Sequence, residues 1–202
     1  MLKEEKIMDK NTLIKFEDDI AELYGEGKIR APIHLGGDNE NQLIEIFKKV
    51  GPDDYVFATW RNHYHWLLSG RDPKELKEQI VNGHSMHVFG KRFFTSAIVG
   101  GIAPIAVGVA MALKRKKDPS KVWVFIGDMG VLTGIARESI TYAQGHDLPI
   151  IFIVEDNGLS VKTDTRKVWG TEDTNKVMSY KYKRKYNHAG HGENGKKAWV
   201  MF

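Results

Sequence analysis

The 202-residue sequence contains no cysteine. Without thiols the chain can form neither a disulfide framework nor a thiolate zinc site, and this absence fits a protein of the reducing cytoplasm. The first ten residues are mostly charged and lack the apolar core of a secretory signal peptide. We therefore expect a cytoplasmic location.

Low-complexity linkers and internal repeats are also missing from the sequence. With 42% hydrophobic residues, the chain is long enough to bury a core of its own. We expect a single α/β domain over residues 1–202, with a helical N-terminal extension over about 1–35 and a short basic C-terminal tail over about 164–202.

Long uncharged runs are scarce, and the one that needs a membrane check is Ala97 to Leu113. Its seventeen residues are at the short end of what spans a bilayer. Its apolar members are mostly small, which favours close packing against other protein segments. We expect a buried helix rather than a membrane span.

Acidic and basic residues are nearly balanced, with a formal net charge of +4. Two basic clusters stand out, at 114–117 and 181–185. Such clusters are usually solvated surface, although attraction of a polyanion is the alternative. Because no DNA- or RNA-binding signature accompanies them, nucleic acid is a minor hypothesis.

Several helices and one strand are predicted from local patterns in the first half of the chain. Apolar spacing indicates helices over 11–24 and 41–49, and 55–60 has the composition of a short buried strand. Asp72 followed by Pro73 predicts a helix start, and that helix should run to about Val81.

The strongest local architecture lies between residues 121 and 158. Two apolar runs of strand length, 122–126 and 150–154, flank a helical stretch that should follow Gly130 and extend to about Gln144. This order predicts a βαβ unit with parallel strands. Strands that are apolar throughout indicate a doubly wound parallel sheet covered by helices.

Polar residues follow both predicted strands, Asp128 after the first and Asn157 after the second. Open parallel sheets bind ligands at this edge, and the helix expected after Gly130 would present its positive end there, which suits a phosphate group. Mg²⁺ would bridge Asp128 to such a phosphate, with the amide oxygen of Asn157 and the carbonyl of Leu159 as further ligands. The alternative is that both segments are only turns.

At these residues a family resemblance emerges. Together the motifs are similar to the thiamine diphosphate signature and to the alpha subunits of 2-oxo acid dehydrogenases, over roughly residues 36–163. The segments that carry it are Trp60-Arg61-Asn62-His63, Ser85-Met86-His87, Ile98-Val99-Gly100 with Pro104, Gly127-Asp128 with Glu138, Leu148-Pro149, and Glu155-Asp156-Asn157-Gly158.

The resemblance implies a reduced version of the thiamine diphosphate-binding fold, with thiamine diphosphate and Mg²⁺ as cofactors. It makes Asp128, Asn157 and the carbonyl of Leu159 the metal ligands, and His87 and His63 the candidate catalytic residues for proton transfer. The implied cofactor-binding residues are Trp60, Arg61, Ile98, Val99, Gly127, Asp128, Met129, Gly130, Asn157 and Leu159. Among them Arg61 would bind the diphosphate, and backbone groups near Val99 would meet the aminopyrimidine ring.

The resemblance also implies a beta-type partner subunit that supplies the activating glutamate, most simply in an α2β2 heterotetramer, and a lipoyl acyltransferase component as acceptor. The expected reaction is decarboxylation of a 2-oxo acid followed by acyl transfer, and the chain alone should be inactive.

Three features depart from the family pattern. Met129 stands where the family has glycine, Asp156 replaces the first asparagine, and the chain is short after the second motif. The segment 186–192 resembles a histidine-bearing family loop only faintly, and 198–202 could be a last strand.

Three alternatives stay open. A zinc site could draw on His63, His65, His84 and His87, although no HExxH motif is present. The chain could be a non-catalytic cofactor-binding or scaffold relative, or part of a split transketolase-like enzyme, which shares the cofactor motif.

Overall fold

The computed structural model describes residues 8–171 and 177–186. The chain divides into two compact units. Unit 1 comprises Met1–Val50, Arg61–Ser85 and Arg184–Phe202, and unit 2 comprises Gly51–Trp60 and Met86–Lys183. The single-domain organisation expected for residues 1–202, with its extension and tail, stays a prediction.

Helices occur in both units, with the first, second, third and fourth in unit 1 and the others in unit 2. They are α1 (Lys10–Gly25), α2 (Glu40–Phe47), α3 (His63–Leu68), α4 (Pro73–Val81), α5 (Ile102–Lys116), α6 (Asp128–Val131), α7 (Gly134–Gly145) and α8 (Thr165–Trp169). The strands all belong to unit 2. They are β1 (Tyr55–Ala58), β2 (Phe89–Gly90), β3 (Phe93–Thr95), β4 (Val122–Gly127), β5 (Ile150–Asp156), β6 (Leu159–Ser160), β7 (Thr163–Asp164) and β8 (Met178–Lys181).

Local sequence signals place α1 and α4 correctly. The Asp9 carboxylate accepts a hydrogen bond from the Thr12 N–H at 2.7 Å and so caps α1. The Asp72 carboxylate caps α4 in the same way through the Lys74 N–H at 2.8 Å, with Pro73 at the first helical position. Both predicted helices are confirmed to within one residue at each end.

Helix α3 was not predicted. The strand expected over 55–60 ends at Ala58, and a six-residue helix begins at His63. Five of the six helical residues are buried, so the helix has almost no exposed face and the sequence shows no amphipathic period. The segment could be assigned only once its surroundings were known.

The main sheet has six strands in the order β2-β3-β1-β4-β5-β8. Every pairing is parallel except β2 with β3. Helices α5 and α7 pack on one face of the sheet, where their buried side chains meet Val124, Ile126, Phe152 and Val154. The predicted α/β class with a parallel sheet is therefore confirmed.

In place of the single helix predicted after Gly130, up to about Gln144, the structure has two helices. The four-residue α6 already begins at Asp128, and after a break at Leu132 and Thr133 α7 begins at Gly134. The prediction placed Asp128 in the loop before the helix, and that placement was wrong. Asp128 is instead the first residue of α6.

The uncharged run at 97–113 is helical only from Ile102 onward. Before that residue the chain makes a tight turn in which Gly100 has φ +74°, and a Cβ there would lie 2.5 Å from Thr133 Oγ1. Only glycine fits this position. One face of α5 is buried, as expected for a packed helix. Within residues 8–171 and 177–186, no helix combines the length and apolar character needed to cross a membrane.

The basic cluster at 114–117 ends α5. Cationic side chains in a last helical turn are stabilised by the negative end of the helix. Lys114 Nζ also donates to the carbonyl oxygens of His146 and Asp147, at 2.6 and 3.2 Å, just after α7. The cluster thus has a structural role in joining the ends of two helices.

Part of the predicted tail belongs to the sheet. Strand β8 pairs with β5, with Val154 opposite Ser179 and Asp156 opposite Lys181. The strand predicted at 198–202 and most of the loop predicted at 186–192 lie outside the described residues.

Candidate functional site

Two strand ends place the candidate metal ligands at one edge of the sheet of unit 2. Strands β4 and β5 are parallel neighbours, and Gly127 pairs with Glu155 near their carboxyl ends. Asp128 follows β4 directly, and Asn157 follows β5 directly. The sequence prediction that these two residues emerge side by side is borne out by the register.

Asp128 carries a carboxyl group in an environment that suits a bound cation. The residue is only 8% exposed, and its Oδ2 atom has no hydrogen-bond partner in the described part of the chain. Burial raises the pKa of Asp128, and the nearby charge of Asp156 acts in the same direction, against a lowering effect of the Thr165 hydroxyl. A divalent cation at this carboxylate would offset both the burial and the repulsion.

Met129 is compatible with this geometry despite replacing a glycine of the family pattern. It lies inside α6 and does not adopt a positive φ, so a side chain is tolerated. The following residue, Gly130, has no positive φ either. It serves close packing, because a Cβ there would lie 3.0 Å from Ile126 Cγ1.

Asn157 is held by hydrogen bonds at both ends of its amide. Its Oδ1 accepts from the Leu159 N–H at 3.0 Å, and its Nδ2 donates to the Tyr182 hydroxyl at 3.1 Å. The amide oxygen has two lone pairs, so one remains available for a metal ion. Leu159, the predicted carbonyl ligand, is half-buried and opens β6, which pairs with β7 through Asp164.

Arg166 forms an ion pair with Asp156, the residue that replaces an asparagine of the family pattern. Its Nη2 atom donates to Asp156 Oδ2 at 3.0 Å, while Asp156 Oδ1 accepts from the Gly158 N–H at 2.8 Å. The extra carboxylate is thereby engaged by a cation and a backbone donor of its own unit. It also holds the turn at Gly158, whose φ is +73°.

The remaining predicted site residues of unit 2 lie on loops. His87 is exposed, Ile98 is 71% exposed, and Val99 is half-buried in the turn before α5. The Ile98 N–H donates to Ser96 Oγ at 3.1 Å, which helps to order this turn. Trp60 is half-buried just after β1. Their predicted contacts to a cofactor stay predictions.

Arg61 and His63 belong to unit 1. Arg61 is half-buried, and its predicted contact with a diphosphate stays a prediction. His63 is fully buried, and its two ring nitrogens face Glu17 and Ser85. The arrangement gives His63 defined partners within its own unit.

Sequence reasoning missed Glu17, Arg166 and Tyr182 as parts of these arrangements. For Glu17 a signal existed, because a carboxylate stands in the buried stripe of α1 between Leu13 and Ile20. For Tyr182 no comparable signal exists, since it reaches Asn157 only through the pairing of β8 with β5.

The zinc alternative finds no support in the described ranges 8–171 and 177–186, which contain no group of three or more histidine, cysteine or acidic side chains placed to hold a metal ion. The candidate magnesium ligands do not form such a group, because they combine one carboxylate with amide and carbonyl oxygens.

Several known proteins are similar in sequence to this chain. The pyruvate dehydrogenase E1 component subunit alpha of Rickettsia typhi is 31% identical over 183 residues, covering 82% of this chain and 56% of that protein. The subunit of Rickettsia prowazekii is 32% identical with the same coverage, and that of Zymomonas mobilis is 30% identical, covering 76% of this chain and 47% of that protein. The chain spans about half the length of these relatives.

A solved structure from Mycobacterium smegmatis, provisionally assigned as a thiamin diphosphate-dependent enzyme, aligns with a TM-score of 0.38 at 20% identity, covering 56% of this chain and 19% of that chain. A superposition this weak carries no argument. The family model described as the dehydrogenase E1 component, in contrast, matches residues 8–180. The family predicted from the motifs is thereby confirmed, and the chain belongs to the dehydrogenase E1 component family.

Proposed function

We propose that this chain is an alpha-type subunit, or a part of one, in a thiamine diphosphate- and Mg²⁺-dependent 2-oxo acid dehydrogenase. The observation that carries the proposal is the pair Asp128 and Asn157 at the carboxyl ends of neighbouring parallel strands, with a buried oxygen of Asp128 lacking a partner in the described residues. Family membership supports the same assignment.

The donor set fits magnesium. Asp128 would supply a carboxylate oxygen, Asn157 its amide oxygen and Leu159 its carbonyl oxygen, and such hard oxygen ligands are those that Mg²⁺ prefers. The diphosphate would add oxygen ligands of the same kind. When bound, thiamine diphosphate supplies the carbanion stabilisation that decarboxylation of a 2-oxo acid requires.

The chain's own residues would orient and hold the cofactor. Tyr182 fixes the direction of the Asn157 amide, and Arg166 offsets the charge of Asp156 beside the metal ligands. His87, on an exposed loop, is the candidate for proton transfer to or from the substrate. A beta-type partner would supply the activating glutamate, in an α2β2 assembly, with a lipoyl acyltransferase component or another acceptor taking the acyl group.

Titration calorimetry with thiamine diphosphate tests the binding half of the proposal. We expect saturable binding that requires Mg²⁺ and that is lost in Asp128→Ala. The control is Asp147→Asn, which changes an exposed aspartate at the opposite end of β5. Binding that is indifferent to both Mg²⁺ and Asp128 would contradict the proposal.

Co-expression with a beta-type subunit tests turnover. We expect decarboxylation of a 2-oxo acid by the complex and none by the chain alone. Decarboxylation by the purified chain without any partner would contradict the proposal that a beta-type subunit supplies the activating glutamate.

A non-catalytic cofactor-binding or scaffold relative is the second candidate. Met129, which stands where the family pattern has glycine, motivates this candidate. The two candidates differ in one measurement, because the scaffold would bind thiamine diphosphate and Mg²⁺ yet stay inactive with every beta-type partner. The matched relatives named above are pyruvate dehydrogenase subunits, which favours the dehydrogenase type over the transketolase-like alternative. The cytoplasmic location stays a prediction.

A further inference from the structure

A buried polar network in unit 1 is not used by the proposed function. The Glu17 carboxylate accepts from the Gly36 N–H at 2.8 Å. Its two oxygens lie 3.1 and 3.0 Å from His63 Nδ1. On the other side of the ring, His63 Nε2 lies 3.0 Å from Ser85 Oγ. The network therefore runs from α1 through α3 to the loop that follows α4.

Burial determines how the protons are arranged. Glu17 and His63 are each 1% exposed, and Ser85 is not exposed at all. A carboxylate can only accept hydrogen bonds, so His63 Nδ1 carries a proton that it donates to Glu17. With a neutral ring, Nε2 is then an acceptor, and the Ser85 hydroxyl donates to it. In this arrangement both ring nitrogens are satisfied, and the hydrogen bonds run in one direction, from Ser85 through His63 to Glu17.

Ser85 is held at its backbone as well. Asn62 Nδ2 donates to the Ser85 carbonyl oxygen at 3.0 Å, in a fully buried hydrogen bond. Adjacent residues of the chain, Asn62 and His63, thus hold both the backbone and the side chain of Ser85. Such double attachment leaves Ser85 with almost no freedom of position.

The residues after Ser85 carry the exposed His87. Within unit 2, the Thr95 hydroxyl donates to the Val88 carbonyl oxygen at 2.9 Å, and its Oγ1 also lies 3.3 Å from the Met86 carbonyl oxygen. His87 is therefore an exposed side chain between residues that are anchored before and after it. Such anchoring lowers the entropy that the side chain must lose to meet a reacting group.

The order serine, histidine, carboxylate also occurs in hydrolases, where the serine is the nucleophile. Here Ser85 has no exposed surface, so no substrate carbonyl can approach its hydroxyl. The geometry therefore supports holding rather than nucleophilic attack.

We propose that Glu17, His63 and Asn62 are positioning residues, which fix Ser85 and through it the start of the segment that carries His87. On this proposal His63 acts through Ser85 and does not itself touch substrate. The role of His87 rests on the proposed function, whereas the anchoring of its segment does not.

The test uses the full chain in three forms: wild type, Ser85→Ala and His63→Gln. The matched control is His65→Gln, since His65 is equally buried on the same helix and packs on the Phe47 ring instead. We expect the rate of deuterium uptake by the peptide spanning 82–92 to rise roughly tenfold in Ser85→Ala and in His63→Gln. In the control the rate should equal that of the wild type. Thiamine diphosphate affinity should change less than about threefold in all of them, because none of these residues binds the diphosphate or the metal.

Nitrogen-15 NMR of the wild-type chain keeps the proposal testable if a variant fails to fold. We expect a His63 ring protonated at Nδ1, and a ring protonated only at Nε2 would overturn the arrangement. Unchanged uptake in Ser85→Ala would do the same, as would labelling of Ser85 by a fluorophosphonate probe.

With a beta-type partner, Ser85→Ala should lower kcat about tenfold or more while KM changes less than about threefold. An equal kcat in that complex would overturn the link to His87. If the wild type does not bind thiamine diphosphate and Mg²⁺, the proposed function fails, but the uptake and NMR results still decide whether the network holds its segment.

Discussion

Unit 1 and unit 2 each bury a carboxyl group, and the two groups have opposite surroundings. In unit 1 the Glu17 carboxylate accepts a hydrogen bond from a backbone N–H and faces a histidine nitrogen. In unit 2 the Asp128 carboxyl group has an oxygen with no hydrogen-bond partner in the described residues. Burial raises the pKa of Asp128, and the charge of Asp156 raises it further. The first group completes a network, whereas the second suits an added cation.

The contrast follows from where each residue stands in its element. Glu17 lies in the middle of α1, on the stripe that packs inward, so its neighbours are protein groups that must satisfy it. Asp128 lies where β4 ends, at the sheet edge where parallel strands leave a crevice for ligands. A buried carboxylate is therefore structural or ligand-directed according to its place in the fold.

The largest expected effect is on the structural carboxylate. Glu17→Leu fits the apolar stripe of α1 but leaves the Gly36 N–H and His63 Nδ1 without their acceptor. We expect a loss of about 3 kcal/mol in the free energy of unfolding, measured by urea denaturation. The control is Glu22→Leu, an exposed position on the same helix, where the change should be within about 0.5 kcal/mol. Equal effects at both positions would remove the contrast between the two carboxylates.

Replacing the ligand-directed carboxylate, Asp128, should affect cofactor binding strongly and stability only slightly. Asp128→Asn removes a charge that burial and Asp156 disfavour, so the melting temperature without ligand should rise slightly, by a few degrees at most. The same change should weaken Mg²⁺-dependent binding of thiamine diphosphate by about 100-fold or more, as seen by calorimetry. A variant that is less stable without ligand, yet binds normally, would place Asp128 in the same class as Glu17.

A smaller effect is expected at the group that orients the second ligand. Tyr182→Phe removes the acceptor for Asn157 Nδ2, and we expect about tenfold weaker Mg²⁺-dependent binding with little change in stability. Tyr180→Phe, two residues earlier, in β8, is the control, because the Tyr180 hydroxyl donates to Glu155 instead. If Tyr180→Phe weakens binding as much, orientation of Asn157 is not the cause.

The smallest effect concerns an exposed carboxylate of α1. Hydrogen bonding from Tyr186 Oη at 2.6 Å and the nearby Lys185 ammonium group lower the pKa of Asp18. A carboxylate with a lowered pKa in the folded state adds stability above its ordinary pKa of about 4 and loses it as the pH falls through the lowered value. Asp18→Asn should therefore cost a few tenths of a kcal/mol at pH 7 and nothing in strong acid, measured by urea unfolding across pH.

Much of the site could be predicted because it depends on neighbouring stretches of chain. Asp128 and Asn157 each follow an apolar run, and parallel strands bring such positions to one edge without further information. Helix α4 could also be predicted from local sequence, since Asp72 and Pro73 are sufficient to indicate its start. The break between α6 and α7 was not predicted, because no proline separates them and the chain there remains apolar on its buried side.

The sequence by itself determined the family, the parallel α/β class and the two candidate metal ligands, because those depend on short apolar runs and on the residues that directly follow them. Only the tertiary structure decided that Glu17 meets His63 across 46 positions of sequence, and that Tyr182 reaches Asn157. Such contacts join elements whose packing depends on the whole core. The identity of one side chain therefore does not indicate which distant residue it will contact.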